Sequence, residues 1–168
     1  MEPVRLEQLS EAHLSDVAEL VADPDVRRFT RVPEPPPADF ARRWLALYEA
    51  GRRDGTREAF AALDGGGFLG LGLAPEIDRE AREVELGYIV ARSARGRGVA
   101  TEILRLLTGW ACEQGAHRLY LIIDVANLPS ERVAERCGYA REGVMRSLHL
   151  KQDIRVDAGL WARLATDG

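Results

Sequence analysis

Arg95-Gly96-Arg97-Gly98-Val99-Ala100 joins a strand-like run to a long amphipathic stretch. A loop that enters a helix carries backbone N–H groups without intrahelical partners, and the helix dipole adds partial positive charge. Glycines let a ligand approach such a backbone closely, so the chemistry on offer is capture of an anion, a phosphate above all. Arg95 and Arg97 add full charges beside the loop, although arginine is also a common solvated residue. Two further clusters flank it. On the preceding run, Glu85 sits two residues from Gly87 and four from Ile89. On one face of a strand it is able to act as a general base, directly or through water, or it is a surface or salt-bridged glutamate. About thirty residues after the loop, Asn127 and Ser130 lie three apart, on one side of a helix's first turn. Asparagine caps helices, serine in a first turn bonds the local backbone, and Pro129 suits that turn. Tyr139 follows a helix-ending glycine, a place that core aromatics also take.

Hydrophobic periodicity supplies the elements that must hold these clusters. Val4 to Leu9 alternates as a first strand, with Ser10 as the N-cap of a helix from about Glu11 to Ala22 whose stripe is Leu14, Val17, Ala18 and Val21. Asp23-Pro24-Asp25 ends it, a short helical turn reaches Phe29, and Pro33 to Pro37 forms an extended, stiff loop. The next helix starts near Ala38, carries Phe40, Trp44, Leu45, Leu47 and Tyr48, and stops between Gly51 and Gly55. Glu58–Leu63, Phe68–Leu73 and Glu83–Val90 read as antiparallel strands, with Gly65 to Gly67 as a hairpin turn. Ala100, Ile103, Leu104, Leu107 and Ala111 mark one face of the helix behind the arginine-glycine loop. Leu119–Val125 is nearly all apolar and is expected to be a central strand covered on both faces. A helix from Asn127 to Cys137 and a terminal hairpin, Gly143–Leu150 with Val156–Leu164, complete an α/β, or mixed α+β, layered arrangement.

Composition narrows the setting. A chain of 168 residues is expected to form one domain that buries roughly two-thirds of its unfolded surface. Its net charge of −4 and pI near 5.5 argue against non-specific nucleic-acid binding. Arg42-Arg43 and Arg52-Arg53, the densest basic pairs, read as solvated helix faces. Cys112 and Cys137 read as buried free thiols, and His13, His117 and His149 match no metal or triad spacing, so no metal is expected. With no leader-like N-terminus and no run of roughly 18 apolar residues, the expected setting is cytoplasmic, away from membranes.

Together, Glu85-Leu-Gly-Tyr-Ile-Val90, Arg95-Gly-Arg-Gly-Val-Ala100, and Asn127-Leu-Pro-Ser130 leading to Cys137-Gly-Tyr139 resemble the GNAT superfamily of N-acetyltransferases. The loop matches the family's (Gln/Arg)-x-x-Gly-x-(Gly/Ala) pattern through Arg95, Gly98 and Ala100. The pairing with Asn-x-x-Ser and Cys-Gly-Tyr looks like the Rim-type branch, which acetylates ribosomal-protein N-termini. The resemblance implies a mostly antiparallel mixed sheet of about seven strands, about four helices, and central strands that splay apart. It implies that amides of Arg95, Gly96, Arg97, Gly98, Val99, Ala100 and Thr101 hold the pyrophosphate of acetyl-CoA. Pantetheine would lie against Tyr88, Ile89 and Val90 like an added strand, with Asn127 contacting it. In the implied chemistry Glu85 is the base, a strand N–H near Ile89 is the oxyanion donor, and Ser130, or Tyr139 in its place, protonates the CoA thiolate. The acceptor would be a primary amine on a protein N-terminus or a small molecule; Phe29, Trp44 and Tyr48 flank the helices that line its pocket in the family and either contact it or, the preferred reading, pack in the core, and dimers are common among such enzymes. Dinucleotide-binding and P-loop patterns fit poorly, because Thr101 follows where a third glycine would stand and Gly-Lys-(Ser/Thr) is missing. A non-catalytic acyl-CoA-binding module of the same fold stays open as the alternative.

Overall fold

The computed structural model describes residues 2–168. One sheet holds β1 (Arg5–Gln8), β2 (Glu58–Asp64), β3 (Gly67–Asp78), β4 (Glu83–Val90), β5 (Arg118–Asp124), β6 (Ala140–Lys151) and β7 (Ile154–Leu164), in the spatial order β1-β2-β3-β4-β5-β7-β6. Five α-helices flank it: α1 (Leu14–Ala22), the short α2 (Pro24–Phe29), α3 (Phe40–Asp54), α4 (Val99–Glu113) and α5 (Leu128–Arg136). Only β4 and β5 run parallel, joined by the crossover through α4.

Strand alternation divides the core between the two faces of the sheet. Val84 and Leu86 of β4 and Leu119 and Leu121 of β5 pack with Val99, Ile103, Leu104 and Leu107 of α4. On the other face Ala59, Ala61, Leu71, Leu73 and Ile89 pack with Val17, Leu20 and Val21 of α1 and Leu45 and Tyr48 of α3. Each fully buried leucine here contributes about 1.5–3 kcal/mol of transfer free energy. The Leu-Gly-Leu-Gly-Leu run of β3 has two steric causes. A Cβ at Gly72 would press on the Leu107 side chain at 3.1 Å, and at Gly70, with φ +153°, it would meet the Ile89 carbonyl oxygen at 2.1 Å.

The β4–β5 ladder is short. Glu83, Val84 and Glu85 pair with Arg118, Leu119 and Tyr120, and beyond Glu85 the strands separate. A bulge in β3 spans Ala74 and Pro75 opposite Leu86, where the register shifts between Leu73 and Glu76. Bulges bend a strand and increase its twist, and Pro75 brings no N–H to the ladder. The bend coincides with the point where β4 leaves β5.

Several local expectations are corrected. The first turn of the helix after Ser10 is 3-10, Glu11–His13, because the His13 ring reaches back so that Nδ1 accepts the Ser10 N–H at 3.1 Å. The third helix starts at Phe40, two residues later than expected. β5 is not covered on both faces: Leu119, Leu121 and Ile123 are buried while Tyr120, Ile122 and Asp124 are half-buried. The α1–α3 layer reaches no further across the sheet than Ile89 of β4. Arg52 is no solvated residue, since it pairs with the buried Glu58 at 2.6 Å and holds α3 to β2. Of the two thiols, Cys137 is buried and Cys112 is half-buried.

Gly70→Ala is expected to lose about 2–3 kcal/mol in urea unfolding, because the new methyl must displace the β4 backbone. Gly109→Ala, on the exposed side of α4 with no atom within 4 Å of the added carbon, is expected to gain about 0.5–1 kcal/mol.

Candidate active site

The arginine-glycine loop and α4 open one wall of a cleft of about 670 Å³. Gly96 and Gly98 take φ +73° and +79°, and a Cβ at either would project into open space. Among the described residues, the six backbone amides from Gly96 to Thr101 have no internal hydrogen-bond partner of ordinary geometry. They form a row of donors at a helix N-terminus, the arrangement that suits a pyrophosphate. Cys137 Sγ lies 3.6 Å from the Thr101 carbonyl oxygen and ties α5 to this turn.

The loop arginines point away from that row. Arg95 donates from Nη2 to Asp23 Oδ2 at 2.8 Å, from Nη1 to Asp25 Oδ2 at 3.2 Å, and from Nε to the Val90 carbonyl at 3.2 Å. Arg92 adds a 3.2 Å bond to Asp23 Oδ1. Burial pushes the Asp23 carboxyl up, but the Asp25 amide and the guanidiniums of Arg92 and Arg95 outweigh it and hold the group below the usual range. Arg97 turns to Asp64 of the β2–β3 turn, at 3.7 Å. The cations that do line the cleft are Arg132 and Arg136 on α5, besides Arg95. Neither α5 arginine stood out in the sequence, and the available signal was their four-residue spacing behind Ser130, which puts both on one helix face.

The opposite wall is the free side of β4. The Ala91 amide donates to the Leu69 carbonyl, and Val90 pairs with Gly70. Antiparallel pairs alternate between bonded and non-bonded, so Ile89 turns its N–H and C=O to β3 while Tyr88 and Val90 turn theirs toward the gap beside β5. Near Ile89, the strand amides that face the gap are therefore those of Tyr88 and Val90. Tyr88, Ile89, Val90, Val99, Ala100 and Thr101 all line the cleft.

Asn127 and Ser130 face these strands from α5, and both line the cleft. Asn127 Oδ1 accepts the Ser130 N–H at 3.3 Å, so it caps the helix while its amide nitrogen stays free. The Ser130 hydroxyl has no hydrogen-bond partner among the described residues, unlike a serine closed on its own backbone. The Tyr88 hydroxyl donates to the Ser130 carbonyl at 3.3 Å, and burial pushes its pKa up to about 12. Tyr139 is elsewhere. It is buried in the α4 core, 2.8 Å from Thr108 Oγ1, and burial pushes it up to about 12.

Glu85 shares the face of β4 that carries Ile89 and is half-buried. Burial pushes its carboxyl up, opposed by Arg31 and reinforced by Glu76. It lines neither this cleft nor a second one of about 740 Å³ between the α2–Glu34 segment and the β6–β7 hairpin. The two clefts meet at Thr30. Phe29 lines the first, whereas Tyr48 is core and Trp44 packs edge-on against it at 5.7 Å.

A family profile described as an acetyltransferase (GNAT) domain matches residues 4–140. The chain belongs to the GNAT acetyltransferase family. Curated relatives include the putative ribosomal N-acetyltransferase YdaF of Bacillus subtilis, 30% identical over 99 residues that span 54% of this chain and 54% of the relative. The ribosomal-protein-serine acetyltransferase of Escherichia coli is 30% identical over 84 residues, 49% of this chain and 47% of that one. The chain thus spans about half the length of these relatives. Among solved structures, RimL, a ribosomal L7/L12 α-N-protein acetyltransferase in complex with coenzyme A, superposes with TM-score 0.90 at 19% identity, covering 99% of this chain and 96% of that one. A spermidine N-acetyltransferase from Vibrio cholerae in complex with CoA and spermine gives 0.86 at 20% identity, with 98% and 96% covered. The sheet with splayed central strands is the GNAT fold.

Tyr139→Phe is expected to cost about 1 kcal/mol of stability through the lost bond to Thr108. Its coenzyme A affinity, measured by calorimetry, is expected to equal the parent's.

Proposed function

We propose that the protein is an acetyl-CoA-dependent N-acetyltransferase that moves the acetyl group directly to a primary amine in a ternary complex. The observation that carries this reading is the row of unpartnered amides from Gly96 to Thr101, opening onto the gap where β4 loses its β5 partner. Phosphates take the amide row, with Arg132 and Arg136 as counter-charges, and pantetheine extends along the Tyr88 and Val90 backbone as an added strand. The fit is chemical as well as spatial, because the row is donor-rich and the β4 wall offers the N–H and C=O of Tyr88 and the N–H of Val90, whose carbonyl already accepts from Arg95 Nε.

Transfer forms an N–C bond and breaks the C–S bond of the thioester. The incoming ammonium first gives up a proton, for which Glu85 is the acceptor, through water because it stands back from both clefts. A β4 amide, of Tyr88 or Val90, polarises the thioester carbonyl. Ser130 is the proton donor to the departing thiolate, its hydroxyl being unengaged at the cleft wall. Tyr139 has no route to that sulfur from the α4 core, so its role is structural. The acceptor is a protein N-terminus or a small amine, the two classes represented among the relatives' names.

Acetyl-CoA at a hundred times its Kd is expected to stabilise the fold by about 2.7 kcal/mol, read as a raised Tm, while NADH and ATP leave it unchanged. Equal stabilisation by ATP would sink the assignment. Ser130→Ala is expected to lower kcat by about 10²-fold at unchanged acetyl-CoA affinity. The Glu85 carboxyl must be ionised to accept a proton, so kcat/KM is expected to fall as pH drops through its raised pKa. That acidic limb should lie above the ordinary glutamate range and vanish in Glu85→Gln. No CoA release with any amine would leave a binding module instead.

A further inference from the structure

The second cleft adjoins the proposed cofactor cleft at Thr30, and its charge is one-sided. Arg27, Arg28, Arg31 and Lys151 line it against a single carboxylate, Glu34, with His149 beside them. Glu34 is committed to Arg27, whose Nη1 also donates to the Ala22 carbonyl at 2.6 Å. That leaves three cations. Arg28 lies over the Phe29 ring at 4.8 Å, Lys151 donates to the Arg28 carbonyl, and neither Arg28 nor Arg31 has an ion-pair partner among the described residues. Burial, Arg31 and Lys151 all push the His149 imidazole down, and burial pushes the Lys151 ammonium down. Asp124 is the one acid that acts on either, and it does not line the cleft. A chain of net charge −4 thus concentrates unpaired positive charge in one concave site.

Low-dielectric walls focus such a field and raise the local concentration of the opposite charge. Arg31 is exposed at this cleft, and its charge favours the ionised form of the Glu85 carboxyl, against the burial that pushes that carboxyl up. Resting on the transferase reading above, we infer that the acetyl acceptor is an amine that carries an anionic group, received by the Arg28, Arg31 and Lys151 cluster, with Arg31 the principal specificity-determining residue. The anion is a carboxylate or a phosphate, on an acidic N-terminal peptide or on a small amine. A planar guanidinium without a partner suits either by bidentate hydrogen bonding. A polycationic acceptor is disfavoured by the same field.

The test measures CoA release with matched acceptors: an Ala-Glu-Glu peptide against Ala-Gln-Gln, an aminoalkyl phosphate against the corresponding amino alcohol, and spermidine. The expected result is a kcat/KM higher by about tenfold or more for the anionic member of at least one pair, carried mainly by KM and eroded by added NaCl. Which pair responds identifies the source of the anion. Arg31→Ala should abolish the preference and Arg31→Glu should invert it toward spermidine. In both variants acetyl-CoA should raise Tm as in the parent, which reports that the fold and cofactor cleft are intact. Release that is equal for both members of each pair, or highest with spermidine, overturns this inference while leaving the transferase reading standing. No release with any acceptor overturns both.

Discussion

Between Leu86 and Val90, strand β4 has a hydrogen-bonded neighbour on one side only. A strand inside a sheet that keeps half of its backbone groups unpaired is costly unless something else meets them. The bulge at Ala74 and Pro75 turns β4 away from β5 one residue past their last pair, and α4 fills the space behind with Val99, Ile103 and Leu107. The opening is thus held by packing on one side and bent by a bulge on the other.

A second constraint fixes where the loop sits. Arg95 reaches across to Asp23 and Asp25 at the α1–α2 junction and, through Nε, to the Val90 carbonyl. One side chain joins the end of β4, the amide row and the segment that separates the two clefts. Each bond is a modest charge-assisted contact, but together they limit the motion of three elements around one point. The arginine that looks from the sequence like a phosphate ligand is engaged in holding the loop backbone in place. Positive charge at the cleft wall comes instead from Arg132 and Arg136.

Charge is therefore sorted in space. The first cleft carries helix-terminal amides and the two arginines of α5, and the second carries Arg28, Arg31 and Lys151. Glu85 stands behind both, where burial favours its neutral form and Arg31 favours its anion. Its readiness to exchange a proton is a balance between those opposing effects, and whatever neutralises Arg31 shifts that balance upward.

Much of this was legible in the chain. The periods of two and three-to-four locate the strands and helices to within a few residues, because burial on one face demands them. The glycine-bearing loop between β4 and α4, and the Asn127 to Ser130 helix start, stand in sequence as local patterns whose geometry is local too. What local pattern leaves open is everything that depends on direction and neighbours. On paper Ser130 is the preferred proton donor and Tyr139 the second choice, and in the fold the Tyr139 hydroxyl meets Thr108 in the α4 core whereas Ser130 lines the cleft. Which amides near Ile89 face the gap is set by the pairing of Ala91 with Leu69, and these are the amides of Tyr88 and Val90. Arg28 and Arg31 stand more than a hundred residues from His149 and Lys151, so no short window of sequence contains the cleft they line. The sequence by itself determined the elements and the family, since those follow from short-range periodicity and spacing. The tertiary structure alone decided which groups confront one another, because that is set by register and by long-range packing.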